Sequence, residues 1–225
     1  MGYAMGIRIH SMDFIHQNID NLGDNLKVLV MGNQYIKGSG IDYITENYEY
    51  DMNNFTYVQG QIIAKEYFTA LGHQHTAIDL NGRENSIQFD LRKSIMESEH
   101  SSFVNNFDVM IDIGNSEHVE DQYMNFKNLH DVCKVGATFI YALPREGHWK
   151  NHCKYKYNLD FFEKLADGNG YEVLMLEIRN ERDICCSMKK KTNSEFMSDD
   201  NFKKLPIIIE PGNNFNDRSL YPYAY

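Results

Sequence analysis

Residues 107–136 read FDVMIDIGNSEHVEDQYMNFKNLHDVCKVG, an apolar run that stops abruptly at Gly-Asn-Ser-Glu-His and passes directly into an amphipathic helical pattern. The run at 109–113 suits a strand buried on both faces, and such strands belong to parallel sheets covered by helices. Parallel α/β sheets hold ligands in the crevice outside the carboxyl ends of their strands. Glu117 and His118 fall at that position, so one stretch constrains the fold and points to a site. Downstream, Tyr123, Phe126, Leu129 and Cys133 recur at three and four residues, which predicts a helix over 119–133 with one face against the sheet.

The remaining chain alternates strand and helix patterns. Met12, Ile15, Ile19 and Leu22 give residues 1–25 the pattern of a helical leader ended by Gly23, expected to pack on the sheet edge or cover the pocket. A strand over 27–31 runs into Gly32. Residues 33–56, rich in Asn, Tyr and Gly, show no clear period and are long for a strand-to-helix connection; they read either as a lid over the crevice or as a solvated insertion. Val58, Ile62, Ile63, Phe68 and Leu71 predict a helix over 58–71, stopped by Gly72. A strand over 76–79 ends in Asp79, a short one over 86–89 precedes Asp90, and 94–105 reads as weakly patterned helix. Extended patterns at 173–179 and 183–190, joined by Asn180-Glu181-Arg182, form a predicted hairpin. From Thr192 the polar, proline-containing sequence predicts an irregular tail over 192–225.

Several of these passages resemble class I S-adenosylmethionine-dependent methyltransferases. The 107–118 strand and its Gly-Asn-Ser-Glu-His end are similar to that family's fourth strand. Lys134-Val135-Gly136-Ala137, the strand over 138–141 and Leu143-Pro144 are similar to its fifth, and Tyr157-Asn158-Leu159-Asp160-Phe161-Phe162 through Gly170-Tyr171-Glu172-Val173 to its last helix and sixth strand. The resemblance covers roughly 26–191 and is nearest to a small-molecule or sugar-type branch. It implies a Rossmann-like seven-stranded α/β sheet, mostly parallel with an antiparallel C-terminal strand and helices on both faces. At the first strand the sequence departs from the family, whose acid and glycine cluster are here reduced to Val30 and a single Gly32 before Asn33-Gln34-Tyr35.

By this resemblance the cofactor is S-adenosylmethionine, and the activity is methyl transfer to a small molecule, such as a sugar or metabolite hydroxyl or amine. An inactive scaffold of the same fold is the alternative. Gly32, with Asn33, is placed against the methionine part of the cofactor, and Asp79, with Leu80, against its ribose. In Asp79-Leu80-Asn81-Gly82 the same Asp also suits a turn. Asp90 and Leu91 are placed at the adenine, although Asp90 equally suits a helix N-cap. Gly114, Asn115 and Glu117 line the end of the fourth strand, where one of them could replace the missing acid.

Methyl transfer asks for positioning and, for some acceptors, a base. Histidine suits that task because its imidazole titrates near neutrality. The catalytic candidates are His118, in a family position that is often structural, and His148 and His152, in the polar loop 145–152 that carries the one Trp. His148 and His152 with Cys153 have ligand chemistry suited to zinc but lack a fourth partner, so no metal is expected.

Composition narrows the partners. With a formal charge of −10 and a pI near 5.3, the chain opposes attraction to a phosphate backbone, and no nucleic acid partner is expected. No apolar run approaches the roughly 20 residues of a membrane span, and MGYAMGIRIHSMDF lacks a signal-peptide core, so cytoplasmic residence is expected. Cys133, Cys153, Cys185 and Cys186 have no paired-ligand spacing and read as reduced thiols. Oligomeric state is left open by the sequence.

Overall fold

The first strands explain why a single sheet organises this molecule. In the computed structural model, which describes residues 6–83 and 86–210, β1 (Gly6–Ile7) leads into α1 (Ile9–Ile19) and then β2 (Lys27–Met31). Four consecutive residues of β2 are buried, with Val28 and Val30 in one apolar cluster and Leu29 and Met31 in the other. Side chains of a strand alternate between faces, so β2 is the centre of a sheet covered on both sides.

The segment after β2 is folded. β3 (Tyr35–Ile36), α2 (Ser39–Asn47), β4 (Tyr57–Val58) and β5 (Gln61–Ile63) build a small sheet of order β1-β3-β5-β4. Its aromatic side chains gather round the buried His16, whose Nε2 lies 2.8 Å from the Tyr67 hydroxyl and whose Nδ1 lies 2.5 Å from that of Tyr48. None of residues 33–56 lines the cavity described below. The helix expected over 58–71 is shorter, α3 (Ala64–Ala70). Gln59 and Gly60 both take positive φ and close a two-residue turn between Val58 and Gln61, while Ile62 and Ile63 take the extended conformation that β-branched residues favour.

β6 (Gln74–Asp79) and β7 (Ile87–Gln88) extend the main sheet on one side of β2. No α-helix forms over 94–105, which holds only two short 3₁₀ turns. The Ser98 hydroxyl donates to Ile95 O and accepts from His100 N, offering the backbone an alternative to helical bonding. On the other side come β8 (Phe107–Ile113), α4 (Gln122–Val132), β9 (Cys133–Pro144), β10 (Tyr155–Lys156), α5 (Leu159–Asn169), β11 (Tyr171–Arg179) and β12 (Asp183–Lys190). α4 starts later than expected because Asp121 caps it, accepting from Met124 N.

The seven-stranded sheet has the order β11-β12-β9-β8-β2-β6-β7. Its pairings are parallel from β9 to β7, and β12 runs antiparallel between β9 and β11, as the resemblance implied. α4 and α5 contribute Phe126, Leu129, Phe161 and Phe162 to the cluster on one face, while α1 and α3 contribute Phe14, Ile15 and Phe68 to that on the other. Adjacent Cys185 and Cys186 fall in opposite clusters. The leader therefore covers a sheet face: α1 lies across β8, β9 and β12, and Arg179 of β11 pairs with Asp13 at 2.6 Å. No helix among the described residues is long and apolar enough to cross a membrane.

The tail is more ordered than expected as far as Glu210. α6 (Asp199–Phe202) is capped by Ser198, β13 (Ile208–Ile209) pairs with β10, and Phe196, Met197 and Phe202 join the main core. Residues 211–225 of the predicted tail lie outside the described residues.

The β11–β12 hairpin turns at Asn180 and Glu181, both left-handed (φ 49° and 59°), the geometry of a type I′ turn. Asn tolerates it, whereas Glu is strained there. Glu181→Gly is expected to stabilise the protein by roughly 0.5–1 kcal/mol in chemical denaturation, the relief of strain exceeding glycine's entropy cost.

Candidate functional site

The turn that follows β8 is assembled from buried polar side chains. Asp112, fully buried near the end of β8, accepts from Asn115 N at 3.0 Å, from Ser116 N at 3.4 Å and from the Ser116 hydroxyl. Gln122 of α4 donates to Ser116 O at 2.7 Å and Val119 O at 2.6 Å, and itself accepts from the Tyr157 hydroxyl at 2.6 Å. Tyr157, Gln122 and Asp112 thus fix the 116–118 turn that carries Glu117 and His118.

Glu117 is 1% exposed, and its Oε2 has no hydrogen-bond partner. Its other oxygen lies 3.7 Å from His118 Nε2, and the His118 ring meets that of His152 edge-on at 5.3 Å. Burial, and then the neighbouring Asp112, hold the Glu117 carboxyl well above the ordinary carboxylate range. Burial pushes Asp112 up to about 6. It lowers His118 to about 3, and His152 is lowered by burial and then by Lys156, so both imidazoles are neutral near pH 7.

This corner opens on a cavity of about 370 Å³ beyond the carboxyl ends of β8 and β9. Glu117 and His152 line it together with Gly114, Trp149, Asp183 and leader residues including Arg8 and His10. Trp149 donates its Nε1–H to Asp183 at 2.8 Å and lies beneath the Arg182 guanidinium at 4.7 Å. The leader, expected on the sheet edge or over the pocket, supplies part of the wall.

The residues assigned to a cofactor lie chiefly across the adjoining strand ends. Gly32 (φ +74°) turns the chain beyond β2 and donates to Ile78 O. Asp79 accepts from Asn33 N at 2.8 Å and Asn81 N at 3.0 Å, so its carboxylate both makes the local turn and faces the Gly32 turn. Between β2 and β8, where the strand order switches direction, the buried Gln34 amide donates to Met31 O and Ile113 O, both at 3.2 Å. A Cβ on Gly32 would be strained by the positive φ and would press on Asn115 Oδ1 at 3.0 Å and Gln34 Nε2 at 3.3 Å. Gln34 Oε1 and Asn115 Nδ2 are buried without partners.

Other candidates are placed differently. Asp90 caps no α-helix; it is engaged by Arg92, whose guanidinium hydrogen bonds hold the carboxyl below its ordinary value. Leu91 is buried in the core, Leu80 is half-buried, and His148 stays outside the cavity lining. Asp112, Gln34, Trp149, Arg182 and Asp183 were not among the sequence candidates. Only Asp112 had a clear signal, an acid inside the apolar run at 109–113.

Solved structures share this architecture at low identity. The chain is similar to the [4+2]-cyclase SpnF (11% identity, 82% of this chain and 81% of that one, TM-score 0.54). It is also similar to the citrinin polyketide synthase CMeT domain (11% identity, TM-score 0.51), covering 80% of this chain and 51% of that one. The 1,6-didemethyltoxoflavin-N1-methyltransferase of Burkholderia thailandensis aligns over 80% of this chain and 76% of its own (11% identity, TM-score 0.49). No family model and no curated sequence matches the chain. At such identity the likeness speaks for the fold, and function rests on the site.

Proposed function

We propose that this chain, built on the class I methyltransferase fold, takes S-adenosylmethionine as methyl donor and methylates a hydroxyl or amine of a small molecule, of sugar or metabolite type, held in the 370 Å³ cavity. The observation that carries this reading is the union of two half-sites at one sheet end: a carboxylate and glycine turn at β2 and β6, and a buried Glu117–His118–His152 corner at β8 and β9.

The residues present fit the donor. Asp79 keeps lone pairs for ribose hydroxyls beyond its two backbone bonds, as the acid ending the second strand does in dinucleotide folds. The orphaned Gln34 Oε1 is an acceptor suited to an ammonium, and Asn115 Nδ2 a donor suited to a carboxylate, which compensates for the absent acid at Val30. When bound, the cofactor supplies an electrophilic methyl on a sulfonium sulfur. The acceptor's O–H or N–H donates to the neutral imidazole of His152, which orients the attacking atom and takes its proton. Trp149, whose ring lies 5.0 Å from that of His152, and Asp183 line the cavity beside this imidazole, and the leader forms part of the wall.

Asp79→Ala is expected to weaken S-adenosylmethionine and S-adenosylhomocysteine binding by roughly 1.5–3 kcal/mol, about 10- to 150-fold, in calorimetric titration of a folded variant. Unchanged affinity would remove Asp79 from the site. A wild-type chain that binds neither compound would favour the inactive scaffold.

A further inference from the structure

We propose that Glu117, His118 and His152 form a site for one divalent first-row transition-metal ion at the wall of the cavity. The carboxylate and the two imidazoles each offer one ligand atom, and these atoms lie within 4.8 Å of one another. Glu117 and His118 come from the short turn after β8, while His152 arrives from the loop after β9, so the trio is assembled by the fold rather than by spacing in sequence. Ligand atoms at about 2.1 Å from a shared tetrahedral ion stand roughly 3.4 Å apart, and small side-chain rotations close the difference.

A second observation points to a cation. Glu117 Oε2 is buried and unpartnered, and among the described residues no lysine or arginine pairs with this carboxylate. A buried acceptor without a donor is costly, and coordination of a cation satisfies it. Lys156, whose charge acts on His152, is engaged by Glu210 at 2.7 Å. Two imidazoles and one carboxylate suit Zn²⁺, Fe²⁺ or Mn²⁺, and three protein ligands leave coordination positions open. The Asp112 and Gln122 hydrogen bonds hold the ligand-bearing turn as outer partners do in metal sites. The trio differs from the His148, His152 and Cys153 set suggested by the sequence, since His148 is not in the cluster.

The ion's role rests on the methyl-transfer reading and changes one part of it: with an ion bound, the His152 lone pair is on the metal, and the ion in place of the imidazole would hold the acceptor oxygen and favour loss of its proton to solvent. The binding site itself does not depend on it. The test is titration of the chelator-treated full chain with Co²⁺, followed by visible absorption, and with Zn²⁺, followed by calorimetry. One ion per chain is expected, with Glu117→Gln and His152→Gln each weakening it about tenfold or more and His100→Ala leaving it unchanged. Wild-type crystals grown with Co²⁺ should show an anomalous peak between the three side chains, a readout that needs no variant to fold. Absence of one-to-one binding, full affinity in both variants, or a peak elsewhere overturns the proposal. Titration of the metal-free chain with S-adenosylhomocysteine separates the two readings, because binding there upholds the cofactor site whatever the metal result.

Discussion

His152→Ala is expected to lower the methyl-transfer rate by about 100- to 10,000-fold while leaving S-adenosylhomocysteine affinity within about twofold. Burial depresses the His152 imidazole below its ordinary range, so at pH 7 it is an acceptor and not a charge. It lines the cavity, whereas Gly32 and Asp79 lie across the strand ends at β2 and β6. Loss of the ring therefore touches the acceptor's proton and orientation and leaves the donor's contacts in place. Single-turnover rates together with calorimetry on the same variant check both halves. Equal loss of rate and cofactor affinity would mean that His152 holds up the site instead of acting in it. Because the free imidazole must be neutral to accept a proton, the wild-type rate should fall as pH drops through the lowered His152 value and hold at neutral pH.

Phe126→Ala is expected to destabilise the fold by about 3–5 kcal/mol, the cost of removing a large buried ring and leaving a cavity. Phe126 is 2% exposed and packs against Tyr141, Tyr157, Phe161 and Phe202 at ring distances of 5.3–6.1 Å. Its neighbour Tyr157 anchors Gln122, and Gln122 holds the turn bearing Glu117. The substitution should loosen that turn, so the surviving folded fraction should also turn over more slowly. Urea denaturation followed by circular dichroism gives the first quantity. A change below about 1 kcal/mol would show that the ring's place is filled by collapse of its neighbours.

The strands of the main sheet were legible because their burial writes a near-continuous apolar run, as in KVLVM and FDVMIDI. The hairpin was legible because its two extended patterns meet at Asn180. What failed was local. Over 58–71 a three-and-four spacing of apolar residues coincided with β-branched side chains and Gly60, and the backbone followed the latter. Over 94–105 the Ser98 hydroxyl competed for the backbone. Of the site, the residues at the end of β8 were readable because topology dictates where strand ends point. Trp149 and Asp183, joined by a hydrogen bond across 34 positions, meet only through the pairing of β9 with β12, which no spacing encodes. Gln34 was hidden because a buried amide in a turn looks like any polar loop residue.

The placement of α1 has a consequence for the order of events at synthesis. Its seat is made of β8, β9 and β12, and Asp13 finds Arg179 across 166 positions. The helix precedes its docking surface in the chain, so Phe14 and Ile15 lack their full cover until β12 has threaded between β9 and β11. Long-range closure of this kind slows folding and leaves apolar surface open to association in the interval. A nascent chain arrested before Asp183 should therefore be more protease-sensitive around α1 than one arrested after Lys190, and chaperone demand should fall once β12 has been released.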